Sequence, residues 1–196
     1  MRHLRQRIEE FLEHFQALFE IDGSIPKRFR KLSTSLSKQP KSEANAMIHQ
    51  PVYFSRNTVQ GGDRAMLTNL RDIVSTSQRN NSRDGITGFL IFDKTWFVQI
   101  LEGDKTQVME TYNRIARDTR HSTATIMNVR DVEARLFPNW TMGGAMRTPE
   151  MEEVYLEHGV GSAMDPSRLK SAQIIALALD LQAFEETKRK GQRLAS

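Results

Sequence analysis

The chain of 196 residues contains no cysteine, which excludes disulfides, thiolate metal sites and thiol nucleophiles. Long apolar runs are also missing. The longest, Ile174 to Leu179, is far shorter than the roughly 20 residues needed to cross a bilayer, so no transmembrane helix is expected. Arg2, Arg5 and Arg7 are followed by Glu9, Glu10 and Glu13 instead of a continuous apolar stretch, so the beginning of the chain does not read as a secretory signal. A cytoplasmic location is the resulting expectation. No P-loop and no Gly-x-Gly-x-x-Gly is present, and the roughly 50 residues on each side of a central core are too few for a nucleotide-cyclase or phosphodiesterase domain.

Hydrophobic residues make up 38% of the chain and the mean hydropathy is −0.54, enough for one globular core with little apolar surface to spare. The net charge is +4, and its distribution matters more than its total. Residues 1–50 carry nine Lys or Arg against six Asp or Glu, residues 51–146 twelve against ten, and residues 147–196 seven against eight. The densest basic spot is Lys27, Arg28, Arg30 and Lys31. So short a run reads as a solvated linker more readily than as a phosphate-binding patch.

Leu4, Ile8, Phe11, Leu12, Phe15, Leu18 and Phe19 recur at steps of three and four, which predicts an amphipathic helix over 1–22. Gly23 stops it, and the Ser-, Lys- and Pro-rich stretch over 23–48 reads as a linker. The apolar stripe of that helix needs a cover, and a copy of itself in a homodimer or its own domain is preferred to a membrane surface because acidic residues are interleaved with the basic ones.

From Pro51 the pattern changes. Short strands are expected at 52–55, 86–92, 96–101, 123–132 and 140–146, with a hairpin turn at Asp93-Lys94-Thr95 and helices over 63–79 and 105–117. The order β-α-β-β-α-β with one further strand is that of an α+β, ferredoxin-like sheet carrying both helices on one face. The other face needs a cover. Helices expected near 149–158 and 167–188 within the segment 147–196 supply one.

Four local phrases fall in the core, residues 49–146: Val-Tyr-Phe-Ser at 52–55, Asn-Asn-Ser-Arg-Asp-Gly-Ile-Thr-Gly at 80–88, Phe-Val-Gln-Ile-Leu-Glu-Gly at 97–103 and Phe-Pro-Asn-Trp-Thr-Met at 137–142. Singly, each has an ordinary explanation. A tyrosine in a strand is usually a core residue, an Asn-Asn pair ahead of Gly85 usually a helix end, and Arg114 on an amphipathic helix usually solvated. Gln99 stands out, because it interrupts an apolar strand and a buried amide is costly unless paired. Leu101-Glu102-Gly103 reads as structural, closing a strand with a turn.

In order and spacing, Tyr53, Asn81, Gln99 and Met142 resemble the BLUF family of blue-light sensors that use FAD. The resemblance implies that Tyr53 and Gln99 project from adjacent strands into a flavin slot between the two helices, with Asn81 at the uracil-like edge of the ring. Asn80, Arg114 and Asp118 match positions that hold the ring or the cofactor tail, and Arg120 and His121 match an Arg-His pair after the second helix. Trp140 and Met142 match alternative occupants of the place beside Gln99. FAD is the implied cofactor, with FMN or riboflavin open because the ring is the part gripped. Two departures stand beside the resemblance: a longer loop over 57–63 and the extension of about 50 residues ahead of the domain.

The mechanism implied is photochemistry without a bond to the protein. Light makes the flavin an oxidant, Tyr53 gives up an electron and then a proton by way of Gln99, and recombination leaves the hydrogen bonds around Gln99 rearranged and the absorption shifted to the red. The absence of cysteine excludes the cysteinyl-flavin adduct of another receptor class. A photoreceptor that signals through a separate downstream protein is therefore the expected function, and no enzyme activity is expected. A flavin-dependent enzyme would need a substrate cavity and a dedicated acid or base. A ferredoxin-like interaction or nucleic-acid module would need exposed aromatics on its sheet and a basic surface in the central domain, and the small excess of positive charge over 51–146 weakens that reading.

Overall fold

The computed structural model describes residues 47–194. The amphipathic helix and most of the linker expected ahead of Met47 lie outside the described residues. The first strand, β1, runs Ile48–Asn57 and is longer than its apolar centre predicts. It lies in the middle of the sheet, and pairing on both sides extends it. Pro51 is tolerated because it falls between the isolated His49–Gly103 bridge and the Val52–Ile100 pair, where the ladder to the neighbouring strand is already interrupted.

Helix α1 spans Asp63–Asp84, five residues beyond the expected end. The Asn80-Asn81-Ser82 stretch has modest helix propensity, but Asn81 is buried and hydrogen-bonded across the fold, and tertiary contact overrides propensity. Gly85 then terminates the helix in the left-handed conformation, φ 64°, with its N–H on the Asn81 carbonyl. Strands β2 (Thr87–Phe92) and β3 (Trp96–Glu102) form the expected hairpin. Asp93 builds the turn by accepting from the N–H groups of Thr95 and Trp96, both at 2.7 Å. Helix α2, Lys105–Ile115, starts where the Asp104 carboxylate caps the N–H groups of Thr106 and Gln107. Strand β4 covers His121–Val132, with register irregularities against β1 beside Tyr53 and Phe54. Strand β5 is only Gly143–Met146, shorter than expected by three residues at its start.

The sheet order is β4-β1-β3-β2-β5, antiparallel throughout except for the β2–β5 pair. Alternation along the strands divides its two faces. Tyr53, Leu90, Phe92, Phe97 and Leu101 pack with Met66 and Leu70 of α1 and Val108 of α2. Phe89, next to Leu90, therefore points to the other face, where it stacks on Phe137. That second face carries the C-terminal helices. A 3-10 turn at Pro149–Met151 leads into α3 (Glu152–Glu157), and another at Pro166–Arg168 precedes α4 (Ser171–Leu194). Helix α4 lies against β2 and β5 and fully buries Ile174, Leu177, Ala178 and Leu181. Among the described residues, no helix is long and apolar enough to cross a membrane.

Candidate functional site

Tyr53 on β1 faces Gln99 on β3, and Gln99 in turn faces Leu90 on β2, so the central three strands present one transverse row. The Tyr53 hydroxyl donates to Gln99 Oε1. The other end of the same amide points at Met142, with Gln99 Nε2 3.3 Å from Met142 Sδ. All three side chains are buried, at 2%, 5% and 0% exposure. Burial first, and the nearby Tyr112 second, push the Tyr53 phenol far above the ordinary phenol range, so it stays protonated. Tyr112 meets the Tyr53 ring edge-on at 4.9 Å and 85°.

Above this row, between α1 and α2, lies a cavity of about 740 Å³ counting its open mouth. Ile73, Leu90, Phe97 and Ile115 give it apolar walls, and Tyr53, Asn80, Asn81, Gln99, Arg114, Asp118, Arg120 and His121 all line it. Every residue expected to touch a cofactor is thus brought to one place. Trp140 and Met142 are separated. Met142 sits beside Gln99, whereas the Trp140 ring lies on the far face against Phe89 at 5.9 Å, donates to Glu186 at 3.1 Å and is covered by the Arg189 guanidinium.

The electrostatics divide the cavity into a neutral interior and a charged mouth. Burial pushes the His121 imidazole below its ordinary value against the opposing pull of Asp118, so the ring is neutral at pH 7. At the mouth, hydrogen bonding from Arg120 holds the Asp118 carboxyl below the usual carboxylate range, and Arg120 also reaches Asp72 at 2.8 Å. Arg114 donates to Thr111 at 3.1 Å and stands 3.7 Å from Asp84.

Two buried polar atoms of the lining, Ser55 Oγ and His121 Nε2, have no hydrogen-bond partner within the protein. Orphaned polar atoms facing an apolar slot call for a ligand with polar edges. A flat heteroaromatic ring with carbonyl and N–H groups at its rim satisfies that requirement, so the donor and acceptor set fits a flavin.

The family model described as "BLUF: Sensors of blue-light using FAD" matches residues 48–143. Residues 48–143 are a BLUF domain. Over 83 residues the chain is 39% identical to photoactivated adenylate cyclase subunit beta of Euglena gracilis, a match covering 42% of this chain and 9% of that protein. Over 52 residues it is 38% identical to the blue light- and temperature-regulated antirepressor BluF of Escherichia coli, covering 26% of this chain and 13% of that one. The chain thus spans about a tenth of the length of the curated relatives it matches. Among solved structures, BlsA in its photo-activated state superposes with a TM-score of 0.60 at 25% identity, covering 69% of this chain and 94% of the other. The dark-state BLUF protein BlrB gives 0.56 at 25% identity, covering 70% and 98%.

The structure adds residues to the BLUF site that sequence reading missed. Ser55 lies two positions after Tyr53 and shares its face, a period-2 signal that was there to be used. Tyr112, on the face of α2 turned to the sheet, packs edge-on against the Tyr53 ring. Glu102, read as a strand terminator, is fully buried and accepts from Gln50 Nε2 (2.7 Å), Thr87 Oγ1 (3.1 Å) and the N–H groups of Leu136 (2.8 Å) and Phe137 (3.0 Å). It ties the end of the Gln99 strand to the loop that leads to Met142.

Proposed function

We propose that this BLUF domain senses blue light through a non-covalently bound FAD and passes the change to a separate partner protein by binding, with no turnover of its own. The observation that carries this reading is the buried chain Tyr53 hydroxyl, Gln99 amide, Met142 sulfur, whose first two members line a cavity with orphaned polar atoms. Bound there, the flavin supplies light absorption and an oxidising excited state beside the phenol.

Asn80, Asn81, Ser55 and His121 hold the ring edge, while Arg114, Asp118 and Arg120 at the mouth hold the cofactor tail. The grip is on the ring, so FMN or riboflavin is accepted in place of FAD. Tyr53 is the electron donor. Its proton is held firmly at rest because the phenol is buried, and on oxidation it leaves along the existing hydrogen bond to Gln99 Oε1. Gln99 is the switch, since a carboxamide that turns over exchanges donor for acceptor at both ends. In doing so it gives up the Met142 contact, and Met142 adjoins β5, which packs on α4. Helices α3 and α4 are the readers of the change, acting in a cytoplasmic protein that assembles as a homodimer or higher oligomer.

The test is the absorption spectrum of the purified protein in the dark, directly after blue light, and during recovery. A flavin spectrum that shifts slightly to the red and relaxes supports the reading. A colourless protein that cannot be reconstituted with FAD, FMN or riboflavin overturns it in favour of a ferredoxin-like interaction module.

A further inference from the structure

Because α1 continues to Asp84, Gln78 and Asn81 stand three residues apart on one helix face. Both reach the same segment. Gln78 Nε2 donates to the Met142 carbonyl at 2.9 Å, and Asn81 Nδ2 donates to the Thr141 carbonyl at 2.7 Å. The Gly88 N–H donates to the preceding carbonyl, that of Trp140, at 3.0 Å. Three consecutive peptide carbonyls ahead of β5 are therefore held, two by α1 side chains and one by β2. The ladder of β5 with β2 begins only at the next residue, Gly143.

These bonds fix the backbone from which the Met142 side chain reaches Gln99. A thioether is a weak acceptor, so the contact from Gln99 Nε2 matters only if the sulfur is kept in place. Asn81 lines the flavin cavity, whereas Gln78 is absent from its lining. Gln78 does not itself reach the cavity, and its side chain is tied to the site through the Met142 carbonyl.

We propose that Gln78 is a positioning residue that holds Met142 against Gln99 and thereby sets how fast the light-adapted hydrogen-bond arrangement returns. This rests on the photoreceptor reading. A Gln99 amide that has turned over returns quickly when its original partner waits at a fixed place. With the Met142 carbonyl released, that partner is mobile and the return slows.

The test compares Gln78→Leu and Met142→Leu, singly and together, in the full flavin-loaded chain, with Gln78→Met as a second variant should Gln78→Leu fold poorly. The expected result is normal flavin loading, a retained light-induced red shift, and dark recovery slower in each single variant by up to about fivefold, the ceiling set by one ordinary hydrogen bond. The double variant should be no slower than the slower single one, because both remove the same contact. A readout independent of photochemistry is the Met142 methyl NMR signal in flavin-free protein, which should move or broaden in Gln78→Leu. Wild-type recovery in both Gln78 variants, or effects that multiply in the double, overturns the proposal while leaving the photoreceptor reading standing. A wild-type protein that shows no light-induced shift overturns both.

Discussion

Tyr53 and Gln99 are directly opposite one another in the β1–β3 ladder, and the phenol of the first donates to the amide oxygen of the second. Side chains opposite each other on one sheet face are held together by the ladder itself, so this contact needs no loop to arrange it. Replacing Tyr53 with Phe removes the oxygen and keeps the ring that packs on Tyr112. Flavin loading is expected to persist and the light-induced red shift to vanish. Difference spectra before and after illumination decide it, and a shift of wild-type size in the variant would show that Tyr53 is not the donor.

Trp140 gives the complementary expectation. Its ring lies on the sheet face opposite Gln99, so Trp140→Phe should leave the amplitude of the shift unchanged. It loses the hydrogen bond to Glu186, a change of about 1 kcal/mol in stability. Spectroscopy and denaturant unfolding on the same sample separate the two effects. A collapsed shift in this variant would mean that the indole enters the pocket.

Glu102 is expected to matter for stability. A Gln at this position turns one acceptor oxygen into a donor facing two donors, either Gln50 Nε2 with the Leu136 N–H or Thr87 Oγ1 with the Phe137 N–H. The loss should be about 2–3 kcal/mol, since a buried polar group is left unmatched. Thermal unfolding of Glu102→Gln should show a melting temperature lower by about 5–10 °C. An unchanged midpoint would show that the loop over 135–137 does not depend on this carboxylate.

His121 sets a pH dependence whose sign follows from its lowered pKa. Between the unfolded value of about 6.5 and the lower folded value, the unfolded chain binds the extra proton, so stability falls as pH drops through that window. Flavin-free protein should therefore unfold at lower denaturant concentration at pH 5.5 than at pH 7.5, and His121→Gln should flatten that difference. The lowered carboxyl of Asp118 adds its own loss only at more acidic pH, below its unfolded value of about 3.9. Equal slopes for wild type and variant between pH 5.5 and 7.5 would remove His121 as the source.

Much of this was legible in the sequence, and the reasons differ from residue to residue. The order of elements along the chain followed from apolar runs of strand length alternating with helical periods, because burial enforces those periods locally. Gln99 could be picked out because a polar residue inside an apolar strand has to find a partner. The extent of α1 could not be read. Its last turn is poor in helix formers and exists because Asn81 reaches Thr141, 60 positions away in the chain.

Local pattern therefore determined which elements form, which face of each is apolar, and that Gln99 needs a partner, whereas the placing of Tyr53 and Asn81 beside it was implied by the family resemblance. Tertiary structure alone decided the fate of Trp140 and Met142. Two positions apart, they would share a face if the last strand began at Trp140 as its composition suggests. The strand begins at Gly143, where a Cβ would lie 2.4 Å from the Trp140 ring and 2.5 Å from Phe89, so the chain turns before it enters the pleat. That turn sends the indole to α4 and the thioether to Gln99. It is set by hydrogen bonds donated by Gln78, Asn81 and Gly88 and accepted by Glu102, residues 34 to 64 positions away in the chain, which no local pattern encodes.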